Sequence, residues 1–176
     1  MRQGLGGRDM IVYHGGVDEI RHPDTSHSNA SVDFGPAFYL TSFQAQAEKW
    51  AMRRSLRLRK PPCVNEYELT EDWSGFRVLK FDGADGPWFD FVCSCRMDGT
   101  EWRQYDIILG RVANDDVYLT INRYLDGELS KEAALADLRY AKPNDQIAIN
   151  SQQALDSLLV FKRAYEPEGQ NGESGI

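Results

Sequence analysis

The stretch that most constrains the fold runs from Asp33 to Met52: Asp-Phe-Gly-Pro-Ala-Phe-Tyr-Leu-Thr-Ser-Phe-Gln-Ala-Gln-Ala-Glu-Lys-Trp-Ala-Met. Its hydrophobic period changes part-way along. Gly35 and Pro36 make a turn, because glycine tolerates positive φ and proline fixes its own. Ala37 to Thr41 is short, aromatic and β-branched, the composition of a strand. Ser42 is placed to cap a helix, on which Phe43, Ala47, Trp50 and Ala51 recur at helical spacing. Tyr39 then stands at a strand end and Trp50 on the helix that follows. Two aromatic faces held this way can enclose a planar ring; ordinary core packing is the plainer explanation for either residue alone.

At 176 residues the chain is sized for one domain with a single core. Its 41% hydrophobic and 27% charged residues are the balance of a soluble globular protein. No apolar run approaches the roughly 20 residues of a membrane span, so no membrane association is expected. Residues 1–9 carry Arg2 and Arg8 but no apolar segment, so they read as a disordered extension and not as a secretory signal. Cys63, Cys93 and Cys95 make an odd number, and the last two sit too close for an ordinary disulfide or a zinc knuckle. A reducing, cytoplasmic setting is the expectation.

The formal net charge of −7 argues against general affinity for nucleic acid. Arg53, Arg54, Arg57, Arg59 and Lys60 are a local exception, read as following directly on the Trp50 helix. A solvated helix end explains them, since cations are favoured there; contact with a phosphate or an acidic partner is the alternative.

The remaining chain mixes strands and helices. Ile11 to Gly16 is an apolar strand ending in His14-Gly15-Gly16, followed by a polar loop from Val17 to Val32 that holds Arg21, His22, His27 and Asn29. A loop of that length suggests function over mere connection; Arg21 within it is either solvated or placed for a phosphate. Val64–Leu69 and Phe76–Phe81 alternate as half-buried strands, Trp88–Met97 has helical intervals, and Tyr105–Gly110 has the continuous apolar character of a central strand. A helix over Val117–Leu125 and a second one capped by Ser130 follow. Asp106, Asn114 and Asp115 adjoin the strand at Tyr105, and capping explains them better than a functional role. Lys142 to Asp145 breaks the last of these helices, Gln146–Asn150 is a strand, and Gln153–Leu155 leads into Leu158–Phe161. Glu166 to Ile176 reads as a disordered tail. No regular βαβ alternation appears, which points to an α+β fold in one domain over residues 10–165.

Tyr13-His14-Gly15 and Phe34-Gly35-Pro36-Ala37-Phe38-Tyr39-Leu40-Thr41 together resemble the first two signatures of the ADP-ribosyltransferase superfamily, in the branch shared by diphtheria-type toxins and poly(ADP-ribose) polymerases. Trp50, eleven positions after Tyr39, stands where the polymerases carry a further aromatic. The run from Ile11 to about Phe161 is similar to an uncharacterised bacterial domain family of that superfamily. The resemblance implies a split β-sandwich with flanking helices and NAD as the substrate that donates ADP-ribose, without a metal. It implies that His14, Gly15, Gly35, Tyr39 and Trp50 hold NAD, and that His14 and Tyr39 belong to the catalytic set.

The superfamily's third position lies on a late strand and is often Glu. The matching strand here, opening Asp145-Gln146-Ile147, has none. Gln146 is the first choice for that role and Asp145, one residue away on the opposite face, the second. A neutral Gln orients a hydroxyl but is no ordinary general base, which favours single ADP-ribose transfer over polymer formation. The expectation is therefore an NAD-dependent mono-ADP-ribosyltransferase, a bacterial toxin or effector with a small antitoxin-like protein partner. Its acceptor is left open among protein, nucleic acid and small molecule. The alternatives are a module that binds NAD or ADP-ribose without transfer, and an NAD glycohydrolase.

Overall fold

A computed structural model of the chain describes residues 9–26, 33–111, 115–138 and 144–168. The expected extension at 1–8, the tail from 169, and His27, Asn29 and Asn114 lie outside the described residues, as does the side chain of Asp115. Of the tail expected from Glu166, residues 166–168 are described, and Pro167 is buried.

Alternation of side chains along the strands builds two sheets. The first has the order β1 (Met10–Gly16), β3 (Cys63–Leu69) and β7 (Leu159–Tyr165), antiparallel throughout. The second has the order β2 (Phe38–Leu40), β6 (Gln146–Ile149), β5 (Ile107–Gly110) and β4 (Val78–Lys80). In it β2–β6 and β5–β6 are antiparallel and β4–β5 is parallel. The class is α+β, with two sheets and five helices among the described residues.

The period of two decides what each strand face touches. On β5 and β6, Ile107, Ile147 and Ile149 join Val12, Tyr67, Leu69 and Leu155 in a core between the sheets. Their neighbours Ile108 and Ala148 join a second core with Phe34, Trp88, Phe89, Ile121 and Leu138, beneath helices α2 (Gly86–Arg96), α3 (Asp115–Leu125) and α4 (Lys131–Leu138). Every residue of β6 is buried, which is why its sequence reads as a nearly unbroken apolar run. Asp85 caps α2 by accepting from the Trp88 N–H, and Ser130 caps α4 through the Ala133 N–H. Ser151 does the same for α5 (Gln152–Leu158) through Ala154. The chain passes from α5 into β7 without a loop.

Helix α1 (Gln44–Leu58) lies on the outer face of the first sheet, where Ala47 and Ala51 meet Val64, Tyr13 and Tyr165. Gly15 makes that approach possible: a Cβ there would stand 2.0 Å from the Ala47 carbonyl oxygen and 2.8 Å from the Ala51 nitrogen. Two backbone hydrogen bonds between Tyr13 and Thr41, of 2.8 and 3.0 Å, tie β1 to the end of β2.

Three local expectations are corrected. Ser42 does not cap α1: Phe43 holds the cap position with no side-chain bond, and Ser42 is instead bonded to Asp145. The helix also runs further than read, so Arg53, Arg54 and Arg57 are on it and not after it; the left-handed Arg59 ends it at φ 54°. Asp106 takes hydrogen bonds from the Arg77 N–H and guanidinium, so it caps no helix and belongs to the β4–β5 edge. Among the described residues no helix is long and apolar enough to cross a membrane.

Candidate functional site

A cavity of about 470 Å³ opens beside the junction of β1 and β2, within the range of small-molecule sites. It is lined by His14 and Gly15 from β1, Tyr39 from β2 and Gln146 from the first position of β6. Trp50, Arg53, Arg54 and Arg57 come from α1, and Asp33, Arg96 and Tyr118 complete it. Residues spread from 14 to 146 therefore share one wall. Arg21 is elsewhere, paired with Glu19 and lying over the Phe161 ring.

The state of His14 follows from its contacts. Its ring stacks on Phe38 with centroids 4.6 Å apart, and Nδ1 is 2.8 Å from the Tyr39 carbonyl oxygen. A carbonyl only accepts, so Nδ1 carries the proton and Nε2 is left as an acceptor. Burial lowers the pKa from 6.5 to about 4; the bond to Tyr39 opposes that shift and the nearby charge of Arg54 adds to it. At neutral pH the ring is an uncharged hydrogen-bond acceptor, suited to a ligand hydroxyl. Gly15, next in the strand, presents bare backbone.

Tyr39 contributes a face and not a proton. Its hydroxyl donates to the Gly35 carbonyl at 2.5 Å and accepts from the Phe34 N–H at 3.1 Å. Burial also holds its pKa well above 10.0. The turn at 33–36 and the strand it precedes are thus locked together by the residue whose ring lines the cavity. Gly35 itself does not line it. At φ 75° the glycine sits against Trp102, whose ring occupies the space of a Cβ at 2.3 Å. What the structure gives it is a conformational role in the turn, whereas the expectation had it among the residues that hold the ligand.

The two candidates for the third position are separated by strand alternation. Asp145 is spent on the β2–α1 corner: its Oδ1 accepts from Thr41 Oγ1 at 2.6 Å and the Ser42 N–H at 2.9 Å, and its Oδ2 from Ser42 Oγ. Gln146 lines the cavity with 6% exposure, and its side-chain amide makes no hydrogen bond among the described residues. An amide both donates and accepts, so this is a buried polar group available to a ligand.

Sequence reading did not select Asp33, Arg96 or Tyr118. Arg96 Nε and Nη2 lie 2.9 and 2.6 Å from Asp33 Oδ1, with the two side chains 9% and 10% exposed. The Arg96 guanidinium lies 4.6 Å from the Tyr118 ring centroid, and its Nη1 is buried without a hydrogen-bond partner. Nothing local in the sequence links positions 63 residues apart. The α1 arginines had a signal, the spacing Trp50, Arg53, Arg54, Arg57, which puts all four on one helix face. Among the described residues no group of three or more His, Cys, Asp or Glu side chains is placed to hold a metal ion.

No curated protein and no solved structure matches this chain. Residues 10–161 match the family described as "Protein of unknown function (DUF3990)", and the chain belongs to that family.

Proposed function

We propose that this protein is an NAD-dependent mono-ADP-ribosyltransferase, its two sheets being the split sandwich of that superfamily. One observation carries the reading: His14, Gly15, Tyr39, Trp50 and Gln146, drawn from four separate elements, line a single cavity. The volume, about 470 Å³, suits the nicotinamide–ribose half of a dinucleotide with part of its diphosphate.

In this reading NAD is the substrate. The bond between ribose C1′ and the pyridinium nitrogen breaks, its electron pair leaves with nicotinamide, and nicotinamide departs neutral. Positive charge develops on the ribose, the acceptor's nucleophile donates an electron pair to C1′, and its proton passes to solvent. His14 Nε2 accepts from a ribose hydroxyl, and the Gly15 backbone meets the nicotinamide amide. Tyr39 and Trp50 supply aromatic faces for the ring. Gln146 orients a second ribose hydroxyl. These groups chiefly hold the donor in a reactive geometry; acceleration requires contacts that strengthen as charge develops. The same reading carries the role of a bacterial toxin or effector restrained by a small protein partner.

A non-catalytic module that binds NAD or ADP-ribose is the second reading, and a specific observation favours it. Asp33 is the only carboxylate in the cavity wall among the described residues, and it is engaged by Arg96. No carboxylate described there stands ready as a general base.

The test is incubation of the protein with labelled NAD and cell extract, following label into protein, nucleic-acid and small-molecule fractions. Transfer to a macromolecule is expected. Gln146→Ala should lower turnover by a factor on the order of ten or more while donor affinity changes little. Gln146→Glu should keep or raise activity, since a carboxylate near the developing cation is favourable. Nicotinamide release without transfer would favour hydrolysis. NAD binding with neither release nor transfer would establish the binding module. Unchanged NAD affinity in a folded Tyr39→Ala protein would remove the aromatic role and the reading with it.

A further inference from the structure

The chain carries a net charge of −7, yet among the described residues four arginines and one carboxylate face its cavity. Helix-end solvation accounts for Arg57, in the last turn of α1, but not for Arg53 and Arg54 further inside the helix; all three lie on the face that carries Trp50. Pairing sharpens the point. Lys60, Arg77, Arg123, Lys131, Lys162 and Arg163 each sit on a carboxylate elsewhere on the surface. Inside the cavity Arg96 is paired with Asp33, and Arg53 makes contacts of its own. Arg54 and Arg57 have no carboxylate partner among the described residues. Two guanidinium groups without a carboxylate among the described residues therefore remain, at a mouth where low-dielectric walls strengthen their field.

We propose that Arg54 and Arg57, one and two helical turns beyond Trp50, form a diphosphate subsite of this cavity. The proposal deepens the NAD reading and rests on it for the rest of the ligand. Three features fit a diphosphate. Two fixed positive charges match its two negative charges. A guanidinium presents a planar fork of N–H donors suited to phosphate oxygens. The spacing is right in scale: seven residues of helix separate Trp50 from Arg57 by about 10 Å. A ring held at Trp50 can thus extend its phosphates along the arginine face. Arg54 is also close enough for its charge to act on His14, so the arginine face adjoins the inner end of the cavity. Across the cavity the unpartnered Arg96 Nη1 adds to the positive wall.

Arg54 and Arg57 are exposed helix positions, and Gln is a good helix former, so Arg54→Gln, Arg57→Gln and the double variant should fold as the parent does. Circular dichroism checks this. Calorimetric titration of each protein with nicotinamide, ADP, inorganic pyrophosphate and NAD, at low and raised salt, then reads the subsite. ADP, pyrophosphate and NAD should each lose about tenfold in affinity per arginine removed, with salt weakening the parent more than the double variant. Nicotinamide affinity should not change, and pyrophosphate should compete with NAD. NAD bound equally well by parent and double variant overturns the subsite and leaves the NAD reading standing. Pyrophosphate bound through both arginines by a protein that binds no NAD supports the subsite and sinks that reading instead. Pyrophosphate and NAD bound together overturn the assignment to the donor's own diphosphate, placing a phosphate-bearing acceptor there.

Discussion

Gly15→Ala is the sharpest perturbation of the site's framework. The added methyl carbon would stand 2.0 Å from the Ala47 carbonyl oxygen, 2.9 Å from the Ala47 carbonyl carbon and 2.8 Å from the Ala51 nitrogen. An unstrained carbon–oxygen contact is roughly 3.3 Å, so α1 and β1 must separate by about 1 Å. The obstacle is helix backbone, which cannot step aside as a flexible side chain can. Overpacking of a well-filled site costs about 1–3 kcal/mol, and a rigid obstacle places this case at roughly 2–3 kcal/mol. For a domain of this length each kcal/mol lowers Tm by about 2–4 °C, so thermal unfolding should move down by about 4–12 °C. The helix that moves carries Trp50, Arg54 and Arg57, so ligand affinity should fall as well. Gly83→Ala is the control: nothing lies within 4 Å of a Cβ there, and stability should stay within about 0.5 kcal/mol of the parent. A Gly15→Ala protein with the parent's Tm would refute the claim that glycine permits the β1–α1 approach.

Two further outcomes rest on the site's hydrogen bonds and its histidine. Asp145→Ala removes the acceptor of Thr41 Oγ1, the Ser42 N–H and Ser42 Oγ, and Thr41 is fully buried. Urea denaturation should show a loss of about 2–4 kcal/mol. Activity per folded molecule should survive; a stable but inactive Asp145→Ala protein would transfer the third role from Gln146 to Asp145. His14 has a folded-state pKa of about 4 against an unfolded value of 6.5, so the unfolded chain binds more protons between these limits. Its contribution to stability is complete above about pH 6.5 and declines by up to about 3 kcal/mol as pH falls to 4. The difference in unfolding free energy between the parent and His14→Gln isolates this slope. A difference that does not change with pH would mean that His14 titrates normally.

Much of the element pattern was legible from short-range chemistry. The alternation at 64–69, the helical intervals at 43–51 and 88–97 and the continuous apolar run at 147–149 each correspond to an observed element. The ends were less legible. Ser42 has the composition of a cap, but a carboxylate a hundred residues later in the chain claims it, and a tertiary bond outweighs a local one. Gly35-Pro36 is read correctly as a turn; that the turn packs beneath Trp102 and outside the cavity depended on a ring far along the chain.

Local residue patterns were enough to place the strands and helices, because backbone sterics and the burial period act over a few residues. They also put Tyr39 at a strand end and Trp50 on the helix that follows, whereas His14 and Gln146 were singled out by the superfamily resemblance and not by any local pattern. What faces what was a matter of tertiary packing. The pairing of Leu40 with Ile147 and of Gly110 with Gln146 puts Gln146 in the cavity wall and leaves Asp145 to the β2–α1 corner. The seating of Ala47 and Ala51 against Gly15 turns Trp50, Arg54 and Arg57 toward the same space. Helix α2 brings Arg96 to Asp33 across 63 residues. Each of these depends on strand register and helix seating, set by contacts between distant segments, which no local pattern of residues encodes.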